Sequence, residues 1–160
     1  MRRVRTRIGD VFSVPLDGSS KKYFQYIAND LTQLNSDVIR AFKKTYPLNA
    51  TADLLEVVRD DVDFYAHVVV KWGIEMNLWE KIGNVPYSET PDVLFRDSKD
   101  YGRKLKTSYD WRVWKINEKF RAVGSLVGDY QKAEIGVVVA PPDVVQRMRT
   151  GEYDFVYPGY

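Results

Sequence analysis

Cysteine is absent from this 160-residue chain, and histidine occurs once, at position 67. Without thiols there is no disulfide framework, no thiolate nucleophile and no cysteine-held zinc. One imidazole cannot assemble a typical zinc site, and a Ser-His-Asp triad would rest on His67 alone. Long apolar runs are missing too, since nothing approaches the ~18 residues of a membrane helix. Arg2, Arg3, Arg5 and Arg7 lead into alternating sequence instead of the apolar block of a secretion signal. The expectation is a soluble, unprocessed, cytoplasmic protein with no membrane partner. Neither sign of charge dominates: 24 Lys and Arg stand against 22 Asp and Glu, a net charge of +2. No half of the chain is basic enough to follow a phosphate backbone, so nucleic acid is not the expected partner. The exception is the basic segment 1–7, read as a solvated, flexible arm.

What the chain has in excess is aromatic surface, with 4 Trp and 11 Tyr. Such residues suit both β-structure and interfaces. "DVFSVPL" alternates as a strand, "DGSS" is turn chemistry, and "KYFQYIAND" returns, so residues 10–28 read as a hairpin. "LNSDVIRAFKKTYP", bounded by Asn-Ser and by Pro47, adds a third strand of a meander. Thr51 stands where a helix N-cap belongs, with Leu54, Leu55 and Val58 at helical spacing behind it. "VDFYAHVVV" is β-branched and reads as a central strand; "KWGIEMNLWEKIG" reads as a helical turn followed by a strand from Trp79. Residues 86–108 read as a long loop holding one strand, "VLFRDS", and as a candidate surface. "DWRVWKIN" places Trp111 and Trp114 on opposite parities, which predicts one buried and one exposed indole. "AEIGVVVAPP" reads as one last strong strand. "PDVVQRMRTG" is a helix with Pro142 in its first turn, Val144, Val145 and Met148 as its apolar stripe, and Gly151 at its end. The aromatic tail "EYDFVYPGY" is expected to pack back on the sheet. The sum is a single α+β domain over 1–160: mainly antiparallel β-sheet, a partly open SH3-like barrel with two or three short helices.

Chemistry is harder to find. His67 lies in an apolar strand and reads as structural; were it catalytic, Asp60, Asp61 and Asp63 are the nearest carboxylates, with no nucleophile motif beside them. That acidic turn lacks the Gly and closing Glu of a calcium loop, and "GSLVGD" at 124–129 is no phosphate-binding loop. No catalytic residue, metal site or cofactor is assigned, and the protein is read as a non-enzyme. What remains is a surface inventory of Trp, Tyr and Arg, the types enriched at interface hot spots. For a partner the first places to look are Asp60, Asp61 and Asp63, and the loop and strand bearing Tyr101, Tyr109 and Trp111.

The opening "RIGDVFSVPLDGSSKKYFQYI" resembles the start of the immunity protein 26 family of bacterial polymorphic toxin systems: a Gly-Asp, an alternating strand ending in Pro-Leu, a short turn and a Tyr-bearing return strand. "NLWEKIGNVP" and "TGEYDFVYPGY" resemble further features of that family. The resemblance implies a small α+β protein that neutralises a cognate bacterial toxin domain by binding it, without catalysis. Gly9, Asp10, Pro15 and Trp79 match as fold-defining positions only. Many toxins of such systems are basic nucleases, which an acidic patch would suit electrostatically. "GDVFSVPL" is also similar to the first strand of small SH3-like ribonuclease toxins of toxin-antitoxin modules. There an Arg-Pro strand is expected to follow, where this chain has "KKYFQYI". The alternative is therefore an RNA-binding or RNA-cleaving barrel using Lys21, Lys22, Tyr23 and Tyr26.

Overall fold

Asp17 makes the first turn with its side chain. Its Oδ1 accepts hydrogen bonds from the Ser19 and Ser20 amides, both at 2.8 Å. In the computed structural model, which describes residues 3–160, this turn joins β1 (Asp10–Pro15) to β2 (Ser20–Asp30) in antiparallel register, with Phe12 opposite Phe24. β3 (Ser36–Phe42) adds to the other side of β2 and continues the meander. The remaining strands are β4 (Tyr46–Pro47), β5 (Val62–Val68), β6 (Glu80–Asn84), β7 (Leu94–Ser98), β8 (Trp111–Lys115), β9 (Arg121–Gly124), β10 (Glu134–Ile135) and β11 (Val138–Val139). Three helices accompany them: α1 (Leu54–Arg59), α2 (Val70–Glu75) and α3 (Pro141–Thr150).

The strands form two sheets. The larger runs β11-β5-β3-β2-β1-β6 with β4 attached to β2; the smaller runs β10-β7-β8-β9. Pairing is antiparallel except where β10 and β11 join their neighbours, and neither sheet closes into a barrel. The fold is an open, mixed α+β arrangement. One face of the large sheet buries Phe12, Phe24, Ile39, Phe64 and Val68 against Val144, Val145 and Met148 of α3 and Val70 of α2. The opposite face meets two different covers. Ile27 and Val38 pack against Phe95 and Trp114 of the small sheet, while Val11, Tyr23 and Phe42 pack against Val57 of α1.

Several local expectations change for identifiable reasons. The cap of α1 is Asp53, whose Oδ1 accepts from the Leu55 and Glu56 amides; Thr51 lies two residues too early to reach them. Val57 is the residue α1 buries, and Leu55 is exposed. Both indoles of β8 are buried, because the small sheet is covered on both faces. Trp114 faces the large sheet, and Trp111 lies under Leu126, Tyr130 and Tyr157. The segment read as one strand, 133–142, holds two short strands, β10 and β11, split around Gly136, and its end already belongs to α3. β10 pairs parallel with β7 and β11 parallel with β5, so the segment stitches the two sheets together. A Cβ on Gly136 would lie 2.4 Å from the Trp114 ring and 2.9 Å from Phe95 Cβ, so only glycine lets the chain cross so near the small sheet.

The residues that carry the family resemblance are used structurally. Gly9 has φ 99° and accepts the Val85 amide, and the buried Asp10 carboxylate collects Arg7 N, Asn84 Nδ2 and Lys81 Nζ. Trp79 donates its indole N–H to the Val70 carbonyl at 3.0 Å. Arg2 of the basic arm lies outside the described residues; Arg3, Arg5 and Arg7 are exposed and precede any regular structure. Among the described residues no helix is long and apolar enough to cross a membrane.

Candidate functional site

A cleft of about 390 Å³ opens where the small sheet, α3 and the last ten residues meet. Each wall has a local cause. Arg96 sits at the centre of β7, on the face of the small sheet that carries Trp111. On the sheet edge β10 pairs Ile135 with Arg96 and Glu134 with Phe95, and Glu134 lines the cleft as well. Arg147 comes from the last turn of α3, which ends at Gly151 with φ 89° and the Gly151 amide donating to the Arg147 carbonyl. Beyond that cap the chain is irregular, and the alternate residues Tyr153, Phe155 and Tyr157 turn toward the protein. Tyr153 and Phe155 stack at 4.7 Å, and Tyr157 lies tilted against Trp111 at 5.8 Å while donating its hydroxyl to the Arg96 carbonyl. The aromatic tail thus packs back, as its composition predicts.

The long loop is held by a buried polar staple. Ser98 and Ser108 hydroxyls lie 2.7 Å apart, Ser108 donates to Asp100, and the Asp100 amide donates to Ser98. The tail then locks onto the loop, with Gly159 N donating to Leu105 O and Ser108 N donating to Gly159 O. This brings Tyr101, 47% exposed, edge-on to both Phe155 and Tyr157 at 5.9 Å.

The cleft is rich in cation faces. The Arg147 guanidinium lies between the rings of Phe64 (4.2 Å) and Tyr153 (4.9 Å), with Nη2 3.7 Å from Glu134. The Arg96 guanidinium is enclosed by Tyr160 (4.9 Å), Trp111 (5.6 Å) and Tyr157 (6.0 Å). Burial pushes the Glu134 carboxyl above the usual carboxylate range although Arg147 pulls the other way. Burial likewise pushes the Tyr153 hydroxyl up to about 12, so it stays neutral at physiological pH.

Of the residues chosen from sequence, Tyr101 lies on the rim of this cleft and Trp111 beneath it. At 1% exposure Trp111 is a support, and no partner can reach its face as the chain stands. Tyr109, two residues before it, is 70% exposed. The acidic turn is not part of the cleft lining. Asp60 spends its carboxylate on the Lys44 and Asp61 amides, whereas Asp61 and Asp63 are exposed, Asp63 close enough to Glu134 to add to its upward shift. Arg96, Glu134 and Arg147 were missed, because single charged residues on a strand or helix look like solvated surface until their neighbours are known. The one readable signal was the Tyr153, Phe155, Tyr157 alternation.

His67 is a different kind of site. Its Nε2 donates at 2.9 Å to Oδ2 of Asp30, and the pair is wholly buried. Trp114 Nε1 donates to the same oxygen, while the Asn117 and Thr32 amides donate to Oδ1. Asp30, and not the acidic turn, is therefore the carboxylate His67 meets. Burial pulls the Asp30 carboxyl upward, but the hydrogen bonds from His67, Asn117 and Trp114 outweigh it and hold the carboxyl at about 2. Both aromatics of the RNA alternative are likewise interior: Tyr23 and Tyr26 are 1% and 5% exposed, and Lys21 Nζ is bound to the Ala50 carbonyl. Among the described residues no three His, Asp or Glu side chains stand together as metal ligands. Compared with protein-family models, curated proteins and solved structures, the chain finds no match in any of the three.

Proposed function

We propose that this protein acts by binding another protein, and that the partner is a bacterial toxin domain whose action it blocks in the cytoplasm, as the resemblance of its opening strand implies. The observation that carries the binding reading is the continuous aromatic and guanidinium surface in which Tyr101, Phe155, Tyr157, Tyr160 and Arg96 meet. Tyr and Arg packed in this way supply rigid contact area at low entropic cost, which is what interface hot spots require. Exposed Tyr109, on the loop that this surface pins down, extends the same inventory. Asp61 and Asp63 offer a separate acidic contact, suited to a basic nuclease. The RNA-barrel alternative loses its stacking platform with Tyr23 and Tyr26 in the interior.

The test is co-expression with the product of the adjacent gene. The reading expects rescue of growth and a stable complex on size exclusion. Toxicity that persists with no complex formed would overturn it.

A further inference from the structure

Arg96 carries an unmet demand. Its Nε and Nη1 are buried without a hydrogen-bond partner, and it joins no ion pair among the described residues. Those two nitrogens hold three of the five N–H donors of a guanidinium. The surrounding rings of Trp111, Tyr157 and Tyr160 attract the cation's charge through their faces, but no acceptor lies in hydrogen-bond range of Nε or Nη1. A buried charged donor left in this state is costly, and its natural complement is a planar oxyanion that a guanidinium can grip through two parallel bonds.

The neighbouring groups point the same way. Arg147 reaches Glu134 only at 3.7 Å, well outside the ~2.7–2.9 Å of a strong charge-assisted bond, so its fork is not saturated. Lys132, its ammonium 3.6 Å from the exposed Asp129, also lines the cleft. Against these three cations the lining sets two acids, Glu134 and Glu152. The remaining wall is apolar and aromatic, from Phe155 and Tyr157, and a volume of about 390 Å³ is the size of a small-ligand pocket or of one or two inserted side chains.

We propose that this cleft receives a carboxylate presented by the partner polypeptide, an acidic side chain or the chain end, with Arg96 and Arg147 as its donors and a neighbouring apolar group lying on Phe155 and Tyr157. The proposal rests on the reading of the protein as a binder and supplies the chemistry of one contact. Desolvated and forked on both sides, such a contact would fix the partner's orientation as well as hold it.

The test uses the full ¹⁵N-labelled chain, titrated with phenylacetate, with its neutral analogue phenylacetamide, and with a short peptide ending in Phe-Glu. The acid should give saturable shifts at the Arg96 and Arg147 side-chain N–H groups and at the amides of Glu134 to Tyr157. The amide should bind at least about tenfold more weakly, a contrast that needs no variant. Arg96→Gln should weaken phenylacetate by a similar factor, and Arg59→Gln, on the exposed end of α1, should not change it. Equal binding of acid and amide, or no saturation by either, overturns the proposal. Tighter binding of the peptide than of phenylacetate supports a polypeptide source; tighter binding of the free acid overturns that part. A co-expressed complex that forms unchanged with Arg96→Gln overturns this inference and leaves the binding reading standing. Acid binding by a protein that forms no complex retires the binding reading and keeps the carboxylate site.

Discussion

Asp30 and Arg96 are both charged groups set among aromatic rings, and the fold treats them in opposite ways. Around Asp30, four donors from β5, β8 and two nearby turns converge on one carboxylate, and every one of them is in hydrogen-bond range. Around Arg96, three rings close on the guanidinium and no acceptor answers its Nε or Nη1. The Asp30 carboxylate is saturated from within and joins the two sheets, although Nδ1 of its partner His67 is buried without a hydrogen bond. The Arg96 guanidinium is enclosed by rings with two of its nitrogens unanswered, and the proposed oxyanion site rests on that imbalance. Burial alone therefore does not separate structural charge from functional charge; the balance of donors and acceptors does.

The largest effect that would break this contrast is at Asp30. Asp30→Asn keeps the shape but replaces an acceptor oxygen that His67 and Trp114 share, and it should cost on the order of 3–5 kcal/mol in urea unfolding. The wild-type pH profile has a matching sign. A carboxyl at about 2 when folded, against 3.8 ordinarily, contributes stability that is complete above pH 4 and is lost as pH falls from about 4 toward 2. Unfolding curves between pH 6 and 2 should show that loss, and Asp30→Asn should show less of it. Stability rising as pH falls through this window would contradict the hub.

Gly136→Ala comes next. The added methyl must displace the Trp114 indole or Phe95 at the stitch between sheets, a cost of about 1–3 kcal/mol measurable by thermal melting. Arg96→Gln should by contrast change stability by less than about 1 kcal/mol, because lost cation-π attraction is offset by removal of a desolvated charge. A loss there as large as at Asp30 would show that Arg96 is also a fold-holding group. Smallest is Tyr109→Ala, expected within about 0.5 kcal/mol of wild type in stability since its ring is mostly in water. If Tyr109 belongs to the partner surface, its effect appears only in the dissociation rate of the complex.

The elements were legible because their causes are local. The Asp17 turn, the alternation of β1 and β2, Pro142 in the first turn of α3 and Gly151 at its end, and the aromatic tail are each written within a few residues. Where reading failed, a distant part of the chain intervened. An alternating strand tells which residues share a face, but not whether that face meets water. Trp111 and Trp114 were expected to differ, and the tail covers one while the large sheet covers the other. The segment "AEIGVVVAPP" concealed a crossing between two sheets, because pairing partners 39 and 71 residues away, Arg96 for Ile135 of β10 and His67 for Val138 of β11, are invisible to a local pattern.

The candidate site shows the same division. Sequence by itself determined that the chain would build an antiparallel α+β scaffold rich in Tyr, Trp and Arg, since strand periodicity and turn chemistry act over neighbouring residues. Only the tertiary structure decided that Asp30 would be the partner of His67 across 37 positions and that Arg96 would be enclosed by Trp111, Tyr157 and Tyr160 with its donors unanswered. The physical reason is that a hydrogen bond or a ring contact is set by distance in space, and folding brings together groups whose separation along the chain carries no mark of it.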